Sequence, residues 1–359
     1  MSQAGAERSR KGTLGRLVPL FLAVALVLVL VAQHYLLPAP ESEFRDRREL
    51  MDTWVTVIVY SRSPAQAKRA IDAAFARMAQ VERAASIFSP QAEAYRLNQA
   101  GRLDDPSDDL WDIIQASIRF YRLTGGVFDI AVEPLIELWK SEIEGKHFWE
   151  LDPDTQKAKL AEVRKLLGAD RIELISSPRR EIVLPPGMKI TLGGIAKGYA
   201  VDQGLAALRE AGIHHALIDA GGDLGAFGGK PDGDKWKIAL RNPKDASQAI
   251  LTFSISDGAI ATSGNYERYF DPQARVGHII DPRTGYSARL CSSATVIAPT
   301  CTEADALATA VFVLGPKDGL DLVNSLDGVE ALILGYDDPR TLYKSSGLDR
   351  YVEQGKAKR

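Results

Sequence analysis

Apolar positions change their spacing repeatedly along this chain, and each change predicts a new element. The stretch TWVTVIVYS, residues 53–61, is β-branched and aromatic and predicts a strand. Helical spacing follows at Ala67, Ala70, Ile71, Ala74, Phe75, Met78 and Val81, predicting a helix over 64–87. A second helix is expected over 107–124, with Ser107 as cap and Leu110, Ile113, Ile114, Ser117 and Ile118 on one face. A third is expected over 155–167, ended by Gly168, and a fourth from Tyr199 onward. The predicted strands are 171–175, 181–184, 216–219, 235–240, 250–255, 259–262 and 293–297. Two helices, 304–313 and 317–325, are predicted on either side of Gly315-Pro316. Strands come in runs between helices, not in strict alternation, and this favours an α+β fold over a doubly wound one.

The N-terminus departs from this pattern. Arg8, Arg10, Lys11 and Arg16 precede an apolar stretch over 17–37, about the length a bilayer crossing needs. The basic flank predicts residues 1–16 in the cytosol and the remainder outside, with an uncleaved anchor or a signal peptide as the two readings. Residues 38–49 read as a polar linker, 50–345 as one large domain and 346–359 as a polar tail. With 45% hydrophobic residues, 25% charged residues and a net charge of −3, the chain carries no basic stripe that would ask for nucleic acid. Cys291 and Cys301 fit no metal-ligand spacing, which leaves free thiols or, outside the cytosol, a disulfide.

Candidate chemistry begins at TLGGIAKGYAVDQGLAAL, residues 191–208. A Walker A loop requires Ser or Thr after its Lys, and here Gly198 follows Lys197; the Gly-rich stretch 221–229 likewise lacks the dinucleotide-binding spacing. What remains is a Gly-Gly turn before a helix. It is either a tight connection or a place where backbone approaches an anionic ligand closely. Asp305 and Thr309 stand four apart on a predicted helix, where both oxygens share one face and suit a hard cation. Asp305 is equally readable as a helix N-terminal carboxylate, and His278 as a hydrogen-bonded turn residue.

Taken in order, MDTWVTVIV, FSPQAEAYRLN, GGVFDIAVEPLIELW, LGGIAKGYAVD, LIDAGGDL, SGNYERYF, HIIDPRTGY and VIAPTCTEADALATA resemble the ApbE family of FAD:protein FMN transferases, over about residues 50–335. The resemblance implies one large α+β domain of antiparallel-rich sheets flanked by helices, with the nucleotide between two subregions. It implies FAD contacts at Met51, Phe88, Val127, Phe128, Asp129, Thr191, Lys197 and Ile279. It further implies a divalent metal, Mg²⁺, at Gly194, Asp305 and Thr309, and His278 as general base. The implied reaction moves FMN from FAD onto a Thr or Ser hydroxyl of an acceptor redox protein and releases AMP. FAD hydrolysis and non-catalytic FAD carriage are the alternatives. With the anchor, the expected location is the cytoplasmic membrane, with the catalytic domain on its periplasmic side. Three positions depart from the family pattern: Thr191 where Asp is usual, Phe88 where Tyr is common, and Ser287 where Pro is frequent.

Overall fold

Eight strands in sequence order build the central sheet of the computed structural model, which describes residues 40–243, 245–265, 269–271 and 276–353. They are β1 (Ser42–Leu50), β2 (Thr53–Ser61), β3 (Ala216–Ala220), β4 (Asp223–Phe227), β5 (Gly258–Ser263), β6 (Cys291–Ala298), β7 (Glu330–Gly335) and β8 (Leu342–Lys344). From β2 to β8 each strand is antiparallel to its neighbour. The chain therefore meanders across the sheet, and its helices enter as insertions between neighbouring strands. The helices are α1 (Pro64–Ala85), α2 (Glu93–Ala100), α3 (Asp108–Leu123), α4 (Glu133–Lys140), α5 (Pro153–Val163), α6 (Ala196–Glu210) and α7 (Cys301–Asn324). This is the expected α+β architecture with an antiparallel sheet. The apolar N-terminal stretch lies outside the described residues, among which no helix is long and apolar enough to cross a membrane.

Side-chain alternation explains why the sheet strands read as near-continuous apolar runs. Ile218, Ala261, Val296 and Ile333 face a core shared with the helices. Their neighbours Leu217, Ile260, Ile297 and Leu334 face a second core completed by Trp236, Phe253 and Leu348. Both faces are covered, so polar residues have no solvent side on which to alternate. The second core is closed by an antiparallel hairpin of strands Trp236–Asn242 and Asp245–Ile255.

Two stretches correct the sequence reading. Part of the expected 38–49 linker is β1, whose half-buried positions alternate with exposed ones. Its charged side chains are used on a sheet edge: the Arg48 guanidinium pairs with Asp72 and lies 4.3 Å from the centre of the Phe75 ring. The expected polar tail from residue 346 begins instead with a short 3-10 turn, Leu348–Tyr351, whose Leu348 is fully buried. The two helices predicted around Gly315-Pro316 form one element with a break: Gly315 takes φ 74° and ψ −172° where Pro316 lacks the N–H to continue. Cys291 and Cys301 are buried free thiols, which decides between the two cysteine readings.

The helix layer is fixed by one close crossing. A Cβ on Gly198 of α6 would stand 2.3 Å from the Cys301 carbonyl oxygen and 2.8 Å from Asp305 Cβ of α7. Only a hydrogen fits there, and the obstacle is backbone, which cannot swing aside. We expect Gly198→Ala to force α6 and α7 apart and cost about 1–3 kcal/mol, despite alanine's better helix propensity. Urea unfolding measures this; unchanged stability would mean that the helices do not cross at this separation.

Candidate functional site

The N-terminal turn of α6 has no side-chain cap of its own. Its Gly198 N–H instead donates to Asp305 Oδ2 at 3.0 Å, from the second turn of α7. The debt is returned by Asp202 of α6, which accepts from the Cys301 and Thr302 amides at 2.8 and 2.9 Å and from the Thr302 hydroxyl at 2.6 Å. Each helix thus satisfies free amides of the other with a carboxylate, buried at Asp305 and half-buried at Asp202. Burial pushes the Asp305 carboxyl above its usual range, opposed first by the Lys197 charge and then by the Gly198 amide.

One turn further along α7, Thr309 Oγ1 lies 3.2 Å from Ser263 Oγ at the end of β5. Gly194 faces the same hydroxyl: a Cβ there would stand 3.1 Å from Thr309 Oγ1 and 3.3 Å from the Phe128 ring. Gly194, Asp305 and Thr309, named from widely separated stretches, therefore meet where α6 begins. Lys197 joins them, its ammonium paired with Asp223 at the start of β4.

Asn265 links this cluster to the His278 turn. Two residues beyond Ser263, its side chain accepts from the Ile279 amide at 3.0 Å and donates to the Ala288 carbonyl at 2.9 Å. A Cβ on Gly277 would fall 2.0 Å from Asn265 Cγ, so the turn closes on the amide only because residue 277 is glycine. His278 follows directly and is half-buried. Ser287, standing where proline is frequent, uses its hydroxyl on the same turn: it accepts from the Gly277 amide at 3.0 Å and donates to the Gly277 carbonyl at 3.1 Å.

The remaining predicted contacts divide by exposure. Phe88 is 75% exposed, and Met51 is half-buried with φ 54° in the turn between β1 and β2. Val127 and Phe128 are buried, with Phe128 edge-on to Phe120 at 6.1 Å between ring centres and its ring beside Gly194. Thr191 is anchored by its amide to the Ile130 carbonyl at 2.7 Å. The Asp129 carboxylate is spent inside the protein, accepting from the amides of Ala131, Gly168 and Ala169 at 2.8, 2.9 and 3.1 Å. It holds the 127–131 backbone in place. Asp202, Asp223 and Asn265 lie inside the quoted motifs LGGIAKGYAVD, LIDAGGDL and SGNYERYF, but the sequence reading gave them no role, because their partners lie 99, 26 and 14 residues away. Two clefts, one of about 530 Å³ beside Asn98 and Met188 and one of about 400 Å³ beside Trp139 and Tyr286, lie apart from the Asp305 cluster.

Comparison with known proteins bears on the family and the fold. The family model described as ApbE family matches residues 51–333. A FAD:protein FMN transferase of Treponema pallidum (strain Nichols) is 31% identical over 328 residues, covering 86% of this chain and 88% of its own. One from Klebsiella pneumoniae (strain 342) is 30% identical over 294 residues, 80% of this chain and 82% of its own. The crystal structure of the ApbE protein of Thermotoga maritima has a TM-score of 0.77 at 29% identity, over 87% of this chain and 100% of that one. The apo flavinyl transferase ApbE of Pseudomonas stutzeri, at 23% identity and a TM-score of 0.73, supports the fold alone.

The Asp129 latch has a pH signature. Burial outweighs its three amide bonds and pushes the carboxyl up to about 6, above the unfolded value of about 3.9. A raised folded pKa means that the stability it contributes is complete below about pH 4 and is lost as pH rises through about 6. Urea unfolding should show the natural protein losing about 1–3 kcal/mol over that window relative to Asp129→Asn, which cannot titrate. Parallel pH profiles for the two proteins would contradict this assignment.

Proposed function

Because the chain belongs to the ApbE family, we propose that it is a FAD:protein FMN transferase that acts on an exported acceptor protein. The observation that carries this reading is the meeting of Gly194, Lys197, Asp305 and Thr309 at the start of α6, from parts of the chain more than 100 residues apart. An acceptor Thr or Ser hydroxyl attacks the phosphorus on the FMN side of FAD. The bond to the AMP phosphate breaks, AMP leaves, and FMN stays on the acceptor as a phosphoester. His278 takes the hydroxyl proton, a task suited to imidazole near neutral pH. Lys197 offsets the pyrophosphate charge. Met51, Phe88 and Ile279 supply apolar surface to the nucleotide, and Val127 and Phe128 set its depth.

The donors present fit a hard divalent cation such as Mg²⁺. They are all oxygens: the Asp305 carboxylate, the Thr309 hydroxyl and the Gly194 carbonyl, with no Cβ on Gly194 to obstruct them. Among the described residues no group of three or more His, Cys, Asp and Glu side chains gathers. A single carboxylate suits a cation that completes its shell with substrate phosphates and water. When bound, such a cation neutralises charge on the phosphate oxygens. Thr191 offers a hydroxyl where a carboxylate is usual, which makes it a determinant of nucleotide affinity and not of bond-making. The basic flank before residues 17–37 supports an N-terminal anchor with the domain on the periplasmic side.

The direct test incubates the protein with FAD, Mg²⁺ and candidate exported redox proteins, then looks by mass spectrometry for an acceptor heavier by one FMN. AMP release without any acceptor gaining mass would point instead to FAD hydrolysis. Asp305→Ala should abolish cation-dependent AMP release at saturating FAD while the near-ultraviolet circular dichroism stays native. Undiminished release would remove Asp305 from the cation site. His278→Ala should slow transfer by about 10²–10⁴-fold with FAD still bound. Loss of FAD binding in step with the rate would make His278 a binding residue.

A further inference from the structure

Two buried carboxylates face one ammonium where α6 begins. Asp223 is 2% exposed and Asp305 4%. Lys197 is ion-paired with Asp223, and its charge also acts on Asp305. The position of Asp223 is set by backbone. It opens β4 opposite Ala220, across the two-residue turn Gly221–Gly222. That turn is pinned by the Gly222 amide donating to Asp219 Oδ1 at 3.0 Å. It is also pressed against β2, since a Cβ on Gly221 would stand 2.3 Å from Thr53 Oγ1. The adjustable member of the pair is the lysine, a compact charge on a flexible four-carbon stem. Asp305 has no ion-pair partner among the described residues and accepts its hydrogen bond from the Gly198 amide, the residue next to Lys197.

We infer that Asp223 is a positioning residue that holds the Lys197 ammonium off Asp305 and so keeps Asp305 open to a divalent cation; this rests on the cation reading given above. A buried carboxylate attracts whatever positive charge can reach it, because an unpaired charge out of water is costly. With Asp223 neutralised but its shape kept, Asp305 becomes the remaining buried carboxylate that the Lys197 charge acts on. The ammonium then competes with the cation for the same oxygens. Asp223 thus separates two tasks that neighbouring positive groups would otherwise contest: the lysine is aimed at the substrate, and the cation is left to Asp305.

The test measures Mn²⁺ binding to the full-length protein without FAD, following free Mn²⁺ by electron paramagnetic resonance. Asp223→Asn should weaken Mn²⁺ binding roughly 10-fold or more, the scale of one unit charge brought to a partly buried site. Adding Lys197→Met to it should restore the binding, because the competitor is gone. Asp223→Ser, also uncharged, should give the same loss and covers the case in which the Asn variant does not fold. Natural Mn²⁺ affinity in a folded Asp223 variant, or a double variant as weak as the single one, overturns the inference while leaving the cation site intact. Absence of Mn²⁺ binding by the natural protein, or binding unaffected by Asp305→Ala, overturns the cation reading itself and this inference with it.

Discussion

Two helices that lend each other a carboxylate hold this molecule's working end together. Asp202 on α6 serves the free amides at the start of α7, and Asp305 on α7 serves Gly198 at the start of α6. Each bond joins a charged acceptor to amides that would otherwise be unsatisfied in the interior, where leaving either partner alone is expensive. The exchange is possible only because the helices cross at a glycine, with the Cys301 carbonyl occupying the place of its missing side chain. Both carboxyls are pushed above their usual range by burial, so the protein accepts an electrostatic cost to keep them there. At Asp202 three donors from α7 offset that cost. At Asp305 the nearby Lys197 charge and a single amide do so, which leaves this carboxylate with capacity for a further positive partner.

The sheet beneath supplies rigidity. It is covered by helices on one face and by the 236–255 hairpin on the other, so its strands cannot shift without opening two cores. The turns at the end of the sheet inherit that fixity. The Met51–Asp52 turn, the Gly221–Gly222 turn and the end of β5 at Ser263 carry groups to the same region, and Asn265 extends the platform to the His278 turn. Met51 and His278 thus sit on short turns tied to this platform, while Lys197, Asp305 and Thr309 sit on helices, an arrangement that restricts their freedom before any ligand arrives.

Much of the fold was legible locally. The α1 face from Ala67 to Val81, the Ser107 cap of α3 and the strands around 216–220, 258–263 and 291–298 follow from spacing and capping, which act between residues a few positions apart. The candidate site residues were named on another ground: eight short motifs in a shared order carry the resemblance to a family. Misreadings arose where local composition contradicted tertiary use. The charges of β1 suggested a linker, yet on a sheet edge they face solvent and pair with α1.

Sequence alone determined the long helices and most sheet strands, the break at Gly315, and which residues match the family's pattern, because those properties are encoded in neighbours along the chain. Only the tertiary structure decided what the buried charges do. It turned Asp129 into a backbone latch, made Asp202 and Asp305 reciprocal caps, and gave Lys197 to Asp223. A carboxylate's role is set by the charges and amides within a few ångströms and by how much water is excluded, and here those neighbours come from up to 107 positions away.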